Sequence, residues 1–531
     1  MLHKKFRTKA ITKDDTIVYD ERTHIYKIPD TTLGSDSPLE RDEWLYDFDT
    51  GKMKYKEITL TPGIVRIFLE ILSNAADNAD TTRRCGAEPG TIKVQIQDKW
   101  IIIKNEGNPI PVEFNDKQNR WDPELKFGVL HSSTNYDTSI YRMGCGRNGY
   151  GAKLANIFSK VFNIEIYDAI NHKHYTQTWE NNMLVCNTPI INPYEDSKSS
   201  VTISFLLDFE RFRSSGSNFD EYPQEAYELF ARHCLDFSFT CKIPVVFIND
   251  KVHEFNVSNI NDYAKLFFDD NHNSIIHQEF MDDGAPSIEF VILDTPYDSK
   301  NISFVNGLMT KGGVHVDKVY KTMIKKILDK FNEKKDKNEK KRTVKTEIKQ
   351  INLTPSDIKP HISIILSCRL PDPKYSSQTK EFLASPKIKL KLDENIINPI
   401  GKWSLIKYMK GILENKIAVM INSTSSRKTK HLGEINWVDA NLAGDKLRAT
   451  ECILFLAEGQ SAASYLGQMR KLIPGGNDII GYFPLKGKPL NVMKADIMTI
   501  YANKEFEGLR SAIGLKENID YTLEENRIKD L

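Results

Sequence analysis

Long apolar runs are missing from this sequence. No stretch approaches the roughly 20 residues that a membrane-spanning helix needs, so no membrane segment is expected. The opening residues, MLHKKFRTKA, carry cations but no apolar core, unlike a secretory leader. Cysteine is sparse: seven residues, odd in number, with no Cys-x-x-Cys spacing. That excludes a disulfide scaffold, argues against a zinc site, and fits free thiols in a reducing compartment. A strong charge of either sign is also lacking, since the formal net charge is +1, and no internal repeat is visible. These absences describe an intracellular soluble protein.

What remains is ordinary globular material, 40% hydrophobic and 27% charged. At 531 residues it exceeds one hydrophobic core, so about two to four domains are expected. Thr61 followed by Pro62 is a helix start, and the helix is expected to run to about Asp80. IKVQIQDKWIII reads as two strands joined by a turn. AKLANIFSKVF reads as a helix, with FNIEIYD as the strand after it. Asn192–Ser200 and Arg213–Pro223 read as loops, and a domain junction is expected near residues 235–245. Beyond it IPVVFIND, SIEFVILD, NISFVNGL and HISIILSC look like strands of a second sheet. NEKKDKNEKKR is low in complexity and expected to be mobile. ECILFLAEGQSAASYLG reads strand–turn–helix, the start of a third, α/β unit.

The chemistry concentrates in GCGRNGYGAK, Gly144 to Lys153, with four glycines and two cations in ten residues. Glycines let backbone N–H groups crowd around phosphate oxygens. The P-loop pattern fails, because Gly149 is followed by Tyr150-Gly151 rather than Lys and Ser or Thr. Gly144, Gly146 and Gly149 satisfy the dinucleotide pattern, with Asp168 where the ribose acid belongs. That pattern must follow a buried strand, however, and HSSTNYDTSIYRM is polar. Upstream, Glu70, Asn74 and Asn78 recur every four residues, enough to hold a water and a metal ion beside a phosphate. Such a stripe is commonly just the solvated face of an amphipathic helix. Here Phe68, Leu69, Ile71 and Leu72 flank Glu70 and leave little exposed face.

FLEILSNAADN, then KNEGNPIP, then SSTNY with GRNGYGAKLANIFS, follow the order of the GHKL ATPase motifs. Together with YSSQTKE, VDANLAG, AEGQSA and PLKGKPLNV, they resemble DNA topoisomerase II of the eukaryotic type through nearly the whole chain. The resemblance implies an α+β and α/β multidomain protein. Its parts would be an N-terminal arm with a GHKL (Bergerat) sandwich over 1–235, a transducer with a ribosomal-protein-like fold over 236–410, a linker over 411–450 and a partial Toprim domain over 451–531.

Residue by residue, the resemblance makes Glu70 the general base and Asn74 the ligand of Mg²⁺ held with ATP, with Asn78 in the same site. Asn105 falls at the adenine amino group, while Ser133, Thr134 and Asn135 fall at ribose and phosphate. Gly146, Arg147, Asn148, Gly149, Tyr150, Gly151, Ala152 and Lys153 form the lid over the phosphates. Gln378, Thr379 and Lys380 reach in from the second domain to the γ-phosphate. Lys334, Lys335, Lys337, Lys340, Lys341 and Arg342 match a lysine-bearing loop facing double-stranded DNA; from Lys321 to Lys349 there are 12 Lys or Arg against 5 Asp or Glu. A solvated loop has the same composition. Glu458 resembles a Toprim metal ligand, with Gln460 where the family has Asp; its partner Asp-x-Asp and the cleavage tyrosine do not follow before Leu531.

The implied activity is an ATP-driven gate: a homodimer that exchanges N-terminal arms, closes on DNA and resets on hydrolysis. The whole enzyme would pass one duplex through a double-strand break in another, and this portion would act as an ATPase only. Gly107-Asn108-Pro109 loses one glycine of the family turn, and His131 stands where a leucine is usual, read as a packed or surface residue. The compact start and altered motifs look like versions encoded by large DNA viruses. Location would be the nucleus for a cellular protein, or host cytoplasm for a viral one. Two other classes stay open: another GHKL ATPase, such as a mismatch-repair clamp or chaperone, and a non-hydrolysing DNA clamp.

Overall fold

The computed structural model describes residues 17–132, 144, 149–216, 220–268, 272–281, 286–339, 353–377, 380–425, 437–443, 445, 448–486, 491 and 503–513. The chain divides into two compact units, residues 1–330 with 359–403, and residues 331–358 with 404–531.

The first unit begins with helix α1 (Glu21–Lys27) and the hairpin of β1 (Leu39–Tyr46) and β2 (Met53–Leu60). Helix α2 (Pro62–Arg84) follows, with Pro62 at its first position and Thr61 extended before it. Thr61 makes no side-chain cap bond, so the proline's fixed φ does the starting. Apolar side chains bury α2 nearly all round, and Phe68 stacks on Phe230 at 4.2 Å. Burying one such ring contributes roughly 1.5–3 kcal/mol.

Strands β3 (Ile92–Gln97) and β4 (Trp100–Glu106) form the expected pair. The small hairpin β5 (Phe114–Asn115) and β6 (Arg120–Trp121) leads to α3 (Asp122–Gly128), and α4 (Gly151–Ile157) comes after the glycine-rich turn. Strands β7 (Ser159–Asp168), β8 (Lys173–Glu180), β9 (Val185–Cys186), β10 (Ile190–Pro193) and β11 (Ser200–Leu207) follow. Then come helices α5 (Phe209–Ser214) and α6 (Gln224–Cys241), and strands β12 (Val245–Ile248) and β13 (Val252–Phe255). Together they make a nine-stranded sheet of order β10-β8-β7-β11-β4-β3-β12-β13, with β9 on β8. Helix α2 packs on this sheet at β4 and lies against α4 and α6.

Two readings are corrected here. The helix expected over AKLANIFSKVF stops at Ile157, because Ser159, Val161 and Phe162 pair with β11, and Val161 and Phe162 pair with β8 as well. Cross-strand pairing overrides the local helical spacing. IPVVFIND belongs to the first sheet, where β12 runs parallel to β3. A short apolar run says strand but not which sheet. The boundary expected at 235–236 therefore falls inside α6, and the first sheet ends at Phe255.

After α7 (Ile260–Ala264), strands β14 (Ser274–Phe280), β15 (Pro286–Asp294), β16 (Asn301–Val305) and β17 (Leu308–Thr310) begin a second sheet. Its order is β14-β15-β19-β16-β17, with β19 (Ile362–Cys368) central, parallel to β16 and buried at every residue. A strand covered on both faces reads as one apolar run. Strands β18 (Gly312–Gly313), β20 (Lys374–Tyr375) and β21 (Phe382–Ser385) form a separate three-stranded sheet beside the second. Gly313 pairs with Leu383 at φ 134, where a Cβ would stand 2.5 Å from the Leu383 carbonyl oxygen. That close approach ties the chain after Lys380 to the chain after β17.

Helix α8 (Val314–Glu339) takes in the first part of the lysine-rich run, so Lys334, Lys335 and Lys337 lie on helical backbone, not in the expected mobile loop. Lys and Glu are good helix formers, which extends the amphipathic stretch before them. In the second unit, α9 (Pro355–Ile358) packs against α10 (Ser404–Ser425), which crosses the expected 410–411 boundary unbroken. Strand β22 (Ile453–Glu458), helix α11 (Gly459–Leu472) and strand β23 (Ile480–Leu485) give the expected strand–turn–helix, with the two strands parallel.

Candidate functional site

A cavity of about 420 Å³ opens between α2, the inner strands of the first sheet, the start of α4 and Lys380. Its lining is of two kinds. Ile71, Ala75, Ile103, Ile110 and Val201 wall one part, while Lys126, Lys153 and Lys380 bring cations to it. An apolar slot with convergent cations suits a flat heterocycle carrying a polyphosphate.

Glu70 is 7% exposed. Its Oε1 forms an ion pair with Arg66, one turn earlier, and stands 3.6 Å from Lys380 Nζ. Burial pushes the Glu70 carboxyl up, but Arg66 and then Lys380 outweigh it and hold it below the usual carboxylate range. Its Oε2 faces Gly151, where any Cβ would collide with it. The glycine is thus required by close approach to a carboxylate that is ionised at neutral pH. Lys380 itself has φ 59, and its N–H donates to the Ser377 carbonyl at 3.2 Å. A left-handed non-glycine residue costs roughly 1–2 kcal/mol. The β18–β21 pairing, with Lys311 N–H donating to the Glu381 carbonyl at 2.8 Å, holds it there.

Asn74 lines the cavity half-buried, and among the described residues no side chain hydrogen-bonds its amide. Asn78 is occupied otherwise. Its Oδ1 accepts from Asn105 Nδ2 at 3.0 Å, and its Nδ2 donates to the Asn108 carbonyl at 2.8 Å. The Asn108 N–H donates to Thr82 Oγ1 at 2.9 Å, and Gly107 at φ 117 leaves room for that hydroxyl. The Gly-Asn-Pro turn is therefore anchored on α2 despite its missing glycine. Asn105 lines the cavity and gives one of its two amide N–H groups to Asn78, while its Oδ1 is an acceptor.

Lys153 is buried, donates to the Ser132 carbonyl at 2.7 Å, and has its pKa pushed down to about 8 by burial and then by Lys126. Gly149, Tyr150, Gly151, Ala152 and Lys153 all line the cavity. Ser133, Thr134, Asn135, Gly146, Arg147, Asn148, Gln378, Thr379, Lys340, Lys341 and Arg342 lie outside the described residues. His131 is an exposed residue paired with Glu21, and its Nε2 lies 3.1 Å from the hydroxyl of Tyr150, which lines the cavity. Asp168, the ribose acid of the dinucleotide reading, is fully buried and accepts from the Val112, Ile170 and Asn171 N–H groups. Strand β7 also runs antiparallel to both neighbours, so the dinucleotide reading falls.

Comparison with known structures decides the family. The ATPase region of Saccharomyces cerevisiae topoisomerase II superposes with TM-score 0.64 and 30% identity, covering 76% of this chain and 99% of that one. The chain belongs to the type II DNA topoisomerase family. The ATPase and transducer domains of DNA topoisomerase II from Balamuthia mandrillaris match with TM-score 0.66 and 27% identity, over 77% of this chain and all of theirs, 100%. A sequence model of DNA gyrase B matches residues 254–432. DNA topoisomerase 2 of Candida albicans is 33% identical over 525 residues, covering 94% of this chain and 34% of that protein. DNA topoisomerase 2 of Arabidopsis thaliana is 31% identical over 533 residues, covering 97% of this chain and 34% of that protein. The chain spans about a third of the length of the curated relatives it matches.

The fold is accordingly that of topoisomerase II ATPase and transducer domains. Sequence reasoning missed Arg66 and Lys126 as members of the site. Arg66, four residues before Glu70 in a helix, carried a legible signal. Lys126 carried none, since only the fold brings α3 to the cavity. Glu458 is exposed at the end of β22, and among the described residues no cluster of three or more His, Cys, Asp or Glu forms a metal site. No helix among the described residues is long and apolar enough to cross a membrane.

Proposed function

We propose that this chain is the ATP-binding and ATP-hydrolysing portion of a type II DNA topoisomerase. The observation that carries the reading is a buried, ionised Glu70 that shares one oxygen with Lys380, a lysine from the second sheet's side of the unit. In the proposed reaction Glu70 takes a proton from water as that oxygen bonds the γ-phosphorus, and the phosphorus–oxygen bond to ADP breaks. Lys380, with Gln378 and Thr379 beside it in sequence, stabilises charge on the γ-phosphate. Lys153 and the glycine-rich lid hold the phosphates, Ser133, Thr134 and Asn135 the ribose and phosphate, and Asn105 Oδ1 accepts from the adenine amino group. Asn78 braces the turn that shapes the adenine end.

Asn74, a cavity-lining residue whose amide no side chain hydrogen-bonds among the described residues, fits Mg²⁺ bound jointly with phosphates. When bound, that ion would neutralise charge on the phosphate oxygens. The departure of phosphate frees Lys380 to return to Glu70, which offers a route from hydrolysis to movement of the second sheet.

Double-stranded DNA is the proposed partner, with Lys334, Lys335, Lys337, Lys340, Lys341 and Arg342 meeting phosphates electrostatically. Homodimer closure by exchange of N-terminal arms, a transducer domain beginning after Phe255, a Toprim start near Ile453 with Glu458 as a metal ligand, and a nuclear location complete the reading. Relatives named DNA topoisomerase 2 that match across 94% of the chain favour it over a repair clamp or chaperone.

The test is ATP turnover by this chain and by Glu70→Gln. Wild-type turnover abolished in the variant, with analogue binding intact, supports the reading; undiminished turnover removes Glu70 as base. Neutralising Lys334 to Arg342 should lower DNA-stimulated turnover and flatten its salt dependence.

A further inference from the structure

The second sheet touches the site helix at a second place. Arg369 directly follows β19, eleven residues before Lys380. Its guanidinium forms an ion pair with Asp80 Oδ1, both side chains 12% exposed. Asp80 Oδ2 takes Arg84 Nη2 at 2.9 Å, so its carboxylate is held on both sides. Asp80 lies ten residues beyond Glu70 on α2, roughly 15 Å along the helix.

The base of this contact is fixed. Arg369 N–H donates to the Ser287 carbonyl at 2.8 Å. Leu370 N–H donates to Asn306 Oδ1 at 2.7 Å, and Asn306 Nδ2 donates back to the Leu370 carbonyl at 2.9 Å. A neighbouring ion pair has the opposite polarity. Lys242, at the end of α6, reaches Glu289 Oε1 on β15 at 2.8 Å. Arg83 Nη2 donates to the Cys241 carbonyl at 3.0 Å, tying that end of α6 to the end of α2. Since Glu289 pairs with Ser367, Arg369 and Glu289 share one sheet face at adjacent strands. A slip along the seam would bring Arg369 toward Lys242 and Asp80 toward Glu289, like against like.

We infer that Asp80 and Arg369, backed by Lys242 and Glu289, are positioning residues that form the fulcrum between the site helix and the arm carrying Lys380. The inference rests on the proposed role of Lys380 at the γ-phosphate. Lys380 stands 3.6 Å from Glu70 and can exchange a carboxylate for a phosphate. The other carboxylate that acts on Arg369, Asp77, lies one turn before Asp80 on the same helix, so the contact stays on α2 in both states. Exchange at Lys380 then turns the sheet about the seam, and the seam sets where the lysine arrives.

The experiment compares the affinities of a non-hydrolysable ATP analogue and of ADP in wild type, Arg369→Leu, Asp80→Asn and Arg369→Lys. Wild type should favour the triphosphate. In Arg369→Leu and Asp80→Asn that preference should fall at least tenfold, with ADP affinity within twofold of wild type, and Arg369→Lys should restore most of it. A wholly structural ion pair would weaken both nucleotides together. Parallel losses, or an unchanged preference in Asp80→Asn, overturn the fulcrum alone. A wild type with no triphosphate preference overturns the reading of Lys380 and the fulcrum with it. Asp80→Asn, nearly isosteric, keeps the test intact if Arg369→Leu does not fold.

Discussion

Gly151 stands so close to Glu70 that a methyl group on its Cα would occupy the space of the carboxylate Oε2. Its backbone is the ordinary first turn of α4, where alanine is by itself the better helix former. Gly151→Ala should therefore leave the melting temperature within a few degrees of wild type while lowering ATP turnover. A displaced base about 1 Å from its place costs on the order of 10²-fold. Turnover within threefold of wild type would show that Glu70 yields without cost.

Arg66 exerts the larger coulombic effect of the two cations that lower the Glu70 pKa against the effect of burial. Arg66→Leu removes it, so the Glu70 pKa should rise. A general base works only when ionised, so the acid limb of the kcat profile should move to higher pH, with the plateau reached later. The sign for stability is the same. A depressed carboxylate contributes stability above its unfolded pKa that is lost as pH falls through the folded value. Profiles of turnover and melting temperature between pH 4 and 8 check both, and an unmoved acid limb would clear Arg66 of this role.

Lys153 works in the opposite sense. Its folded pKa, about 8, lies below the 10.5 of a free lysine. Between these values the unfolded chain binds more protons, so stability should rise with pH across that window. Nucleotide phosphates favour the charged form, so ATP binding above pH 8 should take up a proton and weaken as pH rises. Calorimetry in two buffers of different ionisation enthalpy measures that uptake. Lys153→Met should abolish it and raise the melting temperature at pH 7 by a few degrees, at about 2–4 °C per kcal/mol for a large domain.

Phe68 tests how far the core supports the chemistry. It is fully buried and stacked on Phe230, two positions before Glu70 on the same helix. Phe68→Ala should cost about 3–5 kcal/mol of stability. Calorimetric unfolding checks the cost, which should exceed that of any substitution at the cavity wall.

Legibility in the sequence followed the range of the interaction. Helix α2 was visible because Pro62 and an apolar spacing of three to four residues are local signals. Strands β3 and β4 were visible for the same reason. The segment from Ser159 to Phe162 reads locally as helix, whereas its strand state comes from β8 and β11, distant in sequence. The sheet that holds strand β12 is not legible, because an apolar run does not name its partner. Within the site, Glu70 and Asn74 stand out through helical spacing, whereas Lys380 carries no signal beyond the family resemblance of YSSQTKE. The Arg369–Asp80 contact had no sequence signal, as neither residue belongs to a motif.

Lys380 combines a charge with a strained backbone, and the two can be separated. At φ 59 an alanine suffers the same steric cost as lysine, whereas glycine does not. Lys380→Ala should lose turnover through the missing ammonium and keep the strain. Lys380→Gly should lose turnover equally but be more stable than Lys380→Ala, by about 1 kcal/mol or less. Both leave Glu70 paired with Arg66 alone, so neither should lose the buried carboxylate's charge. Turnover recovered in Lys380→Gly would place the importance of this position in its backbone. Equal turnover loss with unequal stability would place it in the charge that moves between Glu70 and the terminal phosphate.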